Sequence, residues 1–309
     1  MRYWGNTIAG PLGVLVAALL LPGGIPILAW ALCRRFSRQS LEEQRIKRSI
    51  PLIALLALLQ GCATHFNIGA AFRLNDAENA SRTPVLQFQR LSIEPRSDEA
   101  FVAPEELRPG DILLSSAPTF RSAAIQLVTV APVSHVAVYI GDGKVVEAVP
   151  PAVRVRRVGE LLVEEDMVLV LRHPDLTAEQ AQSMRAYSLK QVGTGYNSIG
   201  VAMHGPFGIL RRVCELPLMP SAVRDACIRT VGSVIHVGTS DVQLSCSQLV
   251  LQAYRQAGVS ITSTDPRLIS PADILHMREG DVSSVRIRKQ LRYVGYLKYE
   301  RPVTVAFQQ

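Results

Sequence analysis

Short apolar segments alternate with polar turns along the chain after residue 101, and their spacing predicts a domain built of both strands and helices. Apolar, β-branched segments predict strands at residues 112–114, 135–140, 144–149, 167–172, 282–287 and 291–297. Apolar residues at helical spacing predict helices at residues 120–128, 178–192 and 245–257, with a short one from residue 271. Strands accompanied by segregated helices make an α+β fold. We therefore predict one α+β domain over residues 101–309.

A second hydrophobic pattern lies near the N-terminus, where residues 50–59 form an unbroken apolar run behind the basic segment 45–48. The run is shorter than the roughly 20 residues that a spanning helix needs, and a basic segment before a short apolar one is typical of a secretory signal. It is followed by Leu-Gln-Gly-Cys, ending at Cys62, which resembles a bacterial lipobox. We predict that Cys62 is lipidated, and that Ala63 directs sorting to the outer membrane. A core helix containing Cys62 is the alternative.

The composition along the chain predicts three segments. Residues 1–61 form a leader that ends in the lipoprotein signal. Within it, residues 8–32 are a longer apolar stretch broken by proline and glycine. Residues 1–44 are therefore either a weak transmembrane segment or the product of a start site placed too far upstream, and we expect the latter. Residues 62–100 are polar with little periodicity, which is typical of a tether to the domain at 101–309.

The basic charge of the chain belongs mainly to the leader. The whole chain has 33 Lys+Arg against 26 Asp+Glu, a net charge of +7. Residues 1–61 hold seven basic and two acidic residues, so the remaining 248 residues carry only +2. They show no basic stripe with interleaved aromatic residues, so we predict no nucleic-acid partner.

Three of the five cysteines lie beyond the leader and the lipobox. Cys214 and Cys227 are close in sequence, and in an exported protein such a pair predicts a disulfide, with two buried thiols as the alternative. This pairing leaves Cys246 without a partner. An unpaired cysteine in an oxidising compartment is a liability unless its reactivity is used.

Cys246 is predicted to open a helix whose preceding residue, Ser245, can cap it. The thiol would then lie at the positive end of the helix dipole, which favours the thiolate and lowers its pKa. N–H groups of the same turn, that of Cys246 among them, could bind an oxyanion. Val250 and Leu251 indicate that the helix enters a core, so a small core residue is the alternative role for Cys246.

A thiolate nucleophile needs a base, and His135 is the histidine best placed for that role. It begins an alternating strand in which His135 and Ala137 lie on the face opposite the core-facing valines. Glu147, on the next strand, can meet His135 if it pairs with Ala137, which requires a three-residue loop or a bulge. A two-residue turn would pair it with Val138 and point it away. An exposed edge glutamate is the alternative.

These residues lie in motifs that together resemble a known family. The motifs are Arg108-Pro-Gly-Asp-Ile-Leu-Leu-Ser-Ser, Ser134-His-Val-Ala-Val-Tyr-Ile-Gly-Asp-Gly, Val146-Glu-Ala and Ser245-Cys-Ser-Gln-Leu-Val. They are similar to those of the permuted papain-like amidases, the circularly permuted branch of the NlpC superfamily, and within it to the YaeF/YiiX type. The likeness covers about residues 101–300 and includes Gly195-Tyr-Asn and the spacing of the paired cysteines. Histidine before cysteine is the permuted order.

The resemblance implies a permuted papain-like fold, an antiparallel sheet packed against helices, and a role for each matched residue. Cys246 would be the nucleophile and His135 the general base and later the general acid. Glu147 would orient the histidine. Tyr196 and Ser134 would line the substrate pocket.

The predicted function is a membrane-anchored cysteine hydrolase that cleaves an amide or peptide bond, in a cell-wall peptide or an acyl amide, through an acyl-enzyme. An acyltransferase with the same triad and a non-catalytic, wall-binding lipoprotein are the alternatives. We expect the bacterial cell envelope as its location, on the periplasmic side of the outer membrane. We expect no cofactor and no metal, because His and Cys do not fall at paired ligand spacings.

Three arginines follow the predicted hairpin: Arg154, Arg156 and Arg157. They indicate either an acidic group on the substrate or a solvated edge strand.

Overall fold

A computed structural model of the protein describes residues 64–67, 85–90, 101–216, 219–235 and 243–300. The predicted leader, its two apolar stretches and the lipobox with Cys62 lie outside the described residues. Among the helices that are described, none has the length and apolar character needed to cross a membrane.

The described segments contain eight strands and seven α-helices. The strands are β1 (Thr64–Asn67), β2 (Val85–Phe88), β3 (Ile112–Ser116), β4 (His135–Gly141), β5 (Lys144–Ala148), β6 (Val153–Arg157), β7 (Met167–Arg172) and β8 (Arg292–Tyr299). The helices are α1 (Phe120–Thr129), α2 (Val158–Glu164), α3 (Ala178–Lys190), α4 (Ser198–Arg211), α5 (Ser221–Ile235), α6 (Cys246–Gln256) and α7 (Pro271–Leu275).

Strands β3 to β8 form one six-stranded sheet in the order β6-β5-β4-β3-β7-β8, with every neighbouring pair antiparallel. Alternation along β4 puts Val136 and Val138 on the face that packs against the large core with α6. Ala137 and Tyr139 lie on the other face, which is covered by α2. The predicted α+β class is confirmed.

Helix α6 crosses the middle of the large core. Its Leu249, Val250 and Tyr254 are fully buried, and the Tyr254 hydroxyl donates a hydrogen bond to the carbonyl oxygen of Gly110, just before β3. Fully burying each such large side chain contributes about 1.5–3 kcal/mol. This packing fixes α6, and with it Cys246 at its first position, against the sheet.

The β4–β5 hairpin has the register that the predicted chemistry requires. Ala137 pairs with Glu147, and a bulge shifts the ladder between Tyr139 and Gly141. The three loop residues Gly141, Asp142 and Gly143 all have positive φ, at 91°, 54° and 64°. Glycine and aspartate are among the residues that adopt this conformation at low cost. The predicted bulge is therefore confirmed.

Helices α4 and α5 form a helical excursion between α3 and α6 whose elements the apolar spacing did not predict. Gly200, Gly205 and Pro206 lie inside α4 and weaken its helical signal. Cys214, just after the end of α4, and Cys227, within α5, form a disulfide with a Cα–Cα distance of 5.6 Å.

A buried arginine links the excursion to α7. Arg211 donates to Glu215 at 2.8 Å and to both carboxylate oxygens of Asp273, at 3.0 Å and 2.6 Å. Bidentate pairs of this kind are among the stronger hydrogen bonds in proteins.

The predicted strand at residues 282–287 is wrong. The structure has turns there, with a single bridge between Thr262 and Ile287. Side chains capture backbone donors locally: the N–H of Val282 donates to Asp281, and that of Val285 donates to Ser283. Such local hydrogen bonds compete with ladder pairing. Helix α2 was not predicted either, whereas β6 is an edge strand, as one of the two interpretations of Arg154, Arg156 and Arg157 had it.

The predicted tether contains a short pairing. β1 and β2 form a two-stranded antiparallel sheet. At the end of the tether that is described, the N–H of Arg90 donates to the carboxylate of Asp281 at 2.9 Å.

Candidate active site

Cys246 is the first residue of α6, and the turn before it is held from two sides. Ser245 caps the helix: its hydroxyl accepts from the N–H of Gln248 at 3.3 Å, and the Gln248 side chain accepts from the N–H of Ser245 at 3.4 Å. On the other side, Leu244 pairs with the segment before α4, donating to Gly195 at 3.0 Å. The predicted cap is therefore confirmed, and the thiol lies at a fixed helix N-terminus with 7% of the residue exposed.

The surroundings of the Cys246 thiol favour its thiolate form. Burial alone would raise the pKa of Cys246, but a hydrogen bond to His135 and the charge of that ring lower it below its ordinary value. The backbone N–H groups of Val136 and Ser247 add to this lowering by hydrogen bonding to the sulfur. A thiolate held by two N–H groups and an imidazolium is a poised nucleophile.

His135 lies between the thiol and a carboxylate. Its Nε2 atom is 2.9 Å from Oε2 of Glu147, which leaves Nδ1 for Cys246. Burial by itself lowers the pKa of His135, yet the hydrogen bonds to Cys246 and Glu147 and their negative charges raise it to about 10. The imidazole therefore carries a proton at neutral pH, as the partner of a thiolate should.

Glu147 is completely buried and holds its charge because three cations surround it. Burial raises its pKa, but His135, Arg154 and Arg156 together lower it to about 2. Arg154 lies directly opposite Glu147 in the β5–β6 ladder and approaches Oε1 at 2.8 Å through both Nε and Nη2. The carboxylate thus stays ionised and fixes the orientation of the imidazole.

Arg156 is the buried member of this cluster. It is 5% exposed and its Nη1 lies 3.5 Å from Oε1 of Glu147. Its other nitrogen donates to the carbonyl of Glu160 at 2.9 Å and pairs with the carboxylate of Glu164 at 2.7 Å. These contacts tie the Glu147 carboxylate to α2.

Neither of the two roles predicted for Arg154, Arg156 and Arg157 included a contact with Glu147. Two of the three contact Glu147, whereas Arg157 is exposed and directly precedes α2. The available signal was alternation: in the β5–β6 hairpin, Arg154 and Arg156 fall on the same face as Glu147.

The two predicted pocket residues, Tyr196 and Ser134, lie in different parts of the structure. Tyr196 is half-buried beside the site: burial and the negative charge of Cys246 raise the pKa of its hydroxyl, and the charge of Arg121 lowers it. Ser134 is buried, and its hydroxyl lies 2.6 Å from that of Ser122 in α1. Ser134 therefore links α1 to the start of β4, directly before His135.

Within the ranges of the chain that the structure describes, no three His, Cys, Asp or Glu side chains are grouped so that they could hold a metal ion. The arrangement of Cys246, His135 and Glu147 can perform nucleophilic chemistry with these side chains alone.

Comparisons with known proteins found a family model, a curated relative and a solved structure. The sequence model of the family described as permuted papain-like amidase enzyme, YaeF/YiiX, C92 family, matches residues 106–201. That range includes His135, Glu147 and Tyr196 and ends before Cys246. The probable lipoprotein peptidase YaeF of Escherichia coli (strain K12) is 36% identical over 227 residues, which span 72% of this chain and 82% of that protein. The crystal structure of the metalloprotein yiiX from Escherichia coli O157:H7 aligns with a TM-score of 0.37 and 18% identity, over 63% of this chain and 98% of that one.

Proposed function

The chain belongs to the permuted papain-like amidases of the YaeF/YiiX type and is thus a cysteine peptidase or amidase, and from this premise we propose that it hydrolyses an amide bond through Cys246, His135 and Glu147. The observation that supports the proposal most is the continuous contact from sulfur to imidazole to carboxylate. Each side chain lies on a different element, so only the fold brings them together.

In the first half of the reaction, the Cys246 thiolate attacks the carbonyl carbon of the substrate. The carbon–sulfur bond forms as the carbonyl oxygen takes the negative charge, which N–H groups of the first turn of α6 stabilise. The helix leaves these groups without an intrahelical acceptor. His135 gives its proton to the leaving nitrogen, the carbon–nitrogen bond breaks, and an acyl thioester remains on Cys246.

In the second half, His135 is neutral and acts as a base. It takes a proton from water, the resulting hydroxide attacks the thioester carbon, and the carbon–sulfur bond breaks to return the thiolate. The charged Glu147 stabilises the imidazolium that this step regenerates. Glu147 itself keeps its charge throughout.

The proposal extends to where the enzyme works. We infer that Cys62 is lipidated and that the domain faces the periplasm from the outer membrane. The basic and apolar segments before Cys62 and the name of the Escherichia coli relative, a probable lipoprotein peptidase, support this location. A disulfide between Cys214 and Cys227 is consistent with an oxidising compartment.

The catalytic assignment is tested with a thiol-directed amide probe on the purified full chain, followed by peptide mass mapping. We expect labelling at Cys246 in the wild type and none in Cys246→Ala. We also expect strongly reduced labelling in His135→Asn. His276→Asn is the matched control, because His276 is also a buried histidine bonded to a carboxylate, that of Asp281 at 3.0 Å. Equal labelling of the wild type and Cys246→Ala would contradict the assignment.

The second step and the anchor need separate measurements. Incubation with cell-wall peptides and acyl amides in ¹⁸O-water distinguishes hydrolysis, which puts ¹⁸O in the released acid, from acyl transfer to an added amine or lipid.

For the anchor, we expect incorporation of a clickable palmitate analogue in the wild type and its loss in Cys62→Ala. Incorporation that survives this substitution would contradict lipidation at Cys62.

A further inference from the structure

A polar cavity lies beside α6, on the side of the helix opposite to the Cys246 thiol. It has a volume of about 460 Å³. The residues of α6 that line it are Gln248, Gln252 and Arg255, which recur at helical spacing and so share one face. Gln248 comes two positions after Cys246, which is a rotation of about 200° around the helix axis. The cavity is therefore separate from the cysteine, histidine and glutamate of the candidate active site.

Arginines from three different elements line this cavity. They are Arg229 of α5, Arg255 of α6 and Arg267 of the short 3₁₀ turn Pro266–Leu268. Among the described residues of the lining, Asp265 supplies the only carboxylate. Positive charges held close together repel one another, and an anion bound between them relieves that repulsion.

Nearby acidic residues balance two of the three arginines. Arg267 donates to the carboxylate of Asp265 at 2.7 Å, and Arg229 pairs with Asp225 at 3.0 Å. Burial raises the pKa of Asp265, but hydrogen bonds from Arg267 and the charges of Arg267 and Arg255 hold it below its ordinary value. Asp265 is thus ionised at neutral pH. Within the described part of the chain Arg255 has no ion pair, so its charge remains unmatched.

The two glutamines of the lining have engaged their acceptor oxygens and keep their donors. Gln252 accepts from the hydroxyl of Tyr187 at 2.7 Å, and Gln248 accepts from the N–H of Ser245 at 3.4 Å. The described residues offer no acceptor to either Nε2 group. Gln248 is only 2% exposed, and a buried amide donor is normally hydrogen-bonded. A buried donor that lines a cavity indicates a ligand with acceptor atoms.

The chemistry of the lining selects the class of ligand. Guanidinium groups only donate hydrogen bonds, and the glutamines have only N–H donors left, so the ligand must present oxygen acceptors and carry negative charge. Arginine binds carboxylates and phosphates with paired N–H groups. Here the donors come from α5, α6 and the turn after Asp265. Donors on several sides suit the tetrahedral oxygens of a phosphate better than the two oxygens of a planar carboxylate.

We propose that this cavity is a second binding site of the protein and that it takes a phosphate group. Arg255 and Arg229 bind the charge of the phosphate, and the amides of Gln248 and Gln252 donate to its oxygens. Free phosphates and phospholipid headgroups both carry this group. The site does not depend on the proposed hydrolysis. A bound phosphate leaves the Cys246 thiol open to alkylation, because the two lie on opposite sides of α6.

The test is isothermal titration calorimetry of the purified full chain with sodium phosphate at neutral pH and constant ionic strength. We expect saturable binding in the wild type. Arg255→Gln should weaken it about tenfold or more, because this variant removes a charge-assisted hydrogen bond. Gln252→Glu should abolish it, because it adds a negative charge to the cavity and still offers an oxygen to Tyr187. Arg292→Gln is the matched control: it removes an exposed arginine of β8 and should leave the affinity unchanged.

Three results would overturn the proposal. The first is no saturable binding of phosphate, or equal affinity in the wild type and Gln252→Glu; if Gln252→Glu does not fold, equal affinity in Arg255→Gln decides instead. The second is acetate binding as tightly as phosphate, which would contradict the assignment to phosphate. The third is protection of Cys246 from iodoacetamide by phosphate, which would place the anion at the active site.

The source of the phosphate group is distinguished by a second titrant. Glycerophosphoglycerol is the water-soluble diester headgroup of phosphatidylglycerol. Tighter binding of this diester than of inorganic phosphate supports the site as one for a lipid headgroup. Weaker binding supports it as one for a free phosphate. Either preference should be lost in Gln252→Glu, and a preference that persists there would overturn the proposal.

Discussion

Glu147 contacts His135 at 2.9 Å because a one-residue bulge in β4 places Glu147 opposite Ala137. Side chains that stand opposite each other on neighbouring strands point to the same face of the sheet. If the register were shifted by one residue, Glu147 would stand opposite Val138 and point to the face away from His135. The geometry of the proposed catalytic group therefore depends on the conformation of a three-residue loop.

The loop glycines should differ in how they tolerate a side chain. A Cβ at Gly141, where φ is +91°, would lie 3.2 Å from a nitrogen of Arg185 and 3.4 Å from Pro109. Gly143 has φ of +64° and open space around it. We expect Gly141→Ala to lower the free energy of unfolding by about 2 kcal/mol and Gly143→Ala by about 1 kcal/mol, measured by urea denaturation. Equal losses of unfolding free energy in the two variants would show that the bulge tolerates a side chain at position 141.

Glu147 should stabilise the fold in a pH-dependent way. Its pKa is lowered to about 2 in the folded protein, so its contribution is fully present above the ordinary value near 4.5 and is lost as pH falls toward 2. We expect Glu147→Gln to cost about 3 kcal/mol at pH 6 and clearly less at pH 3, measured by urea denaturation. The exposed Glu279→Gln should change little at either pH. A cost that is equal at both pH values would contradict the charge state assigned to Glu147.

Arg156 and Arg154 bind the same carboxylate but should contribute very differently to stability. Arg156 is 5% exposed and Arg154 is 50% exposed. Removing one partner of a buried ion pair costs about 3–5 kcal/mol, whereas an exposed pair is worth under about 1 kcal/mol. We expect Arg156→Met to lower the free energy of unfolding by about 3 kcal/mol and Arg154→Met by less than about 1 kcal/mol. A larger loss of unfolding free energy in Arg154→Met than in Arg156→Met would show that the exposed contact contributes more to holding the Glu147 carboxylate.

The disulfide should affect stability without affecting the active site. Joining Cys214 and Cys227 closes a short loop, and on the loop-entropy model such a bond contributes about 3 kcal/mol. We expect Cys214→Ser with Cys227→Ser to lower the free energy of unfolding by about that amount. The pH at which alkylation of Cys246 by iodoacetamide reaches half its maximal rate should stay the same, because the groups that lower the pKa of its thiol lie on the sheet and on α6. A shifted midpoint would show that the excursion supports the site.

The sequence predicted those parts of the fold whose signal is local. The cap at Ser245, the alternation of β4 and the turn residues of the hairpin are all set by neighbours in the chain, and the structure has them. The bulge could be predicted because only one register brings Glu147 to His135. The bounds of α4 were not predicted because Gly200, Gly205 and Pro206 obscure its periodicity.

Other parts of the site depend on long-range packing. The contact of Arg156 with Glu147 requires both the β5–β6 register and the position of α2. Apolar spacing predicts neither of them. The predicted strand at 282–287 was wrong for a local reason, since the side chains of Asp281 and Ser283 bind backbone N–H groups that a ladder would use.

The central claim is that Cys246 exists as a thiolate paired with a protonated His135, and the rate of Cys246 alkylation as a function of pH tests it most directly. We expect a midpoint in the wild type well below the ordinary thiol value of about 8.5. In His135→Asn, burial without the imidazolium should raise the midpoint to or above that value. A wild-type midpoint at or above about 8.5, in a protein shown to be folded, would contradict the account.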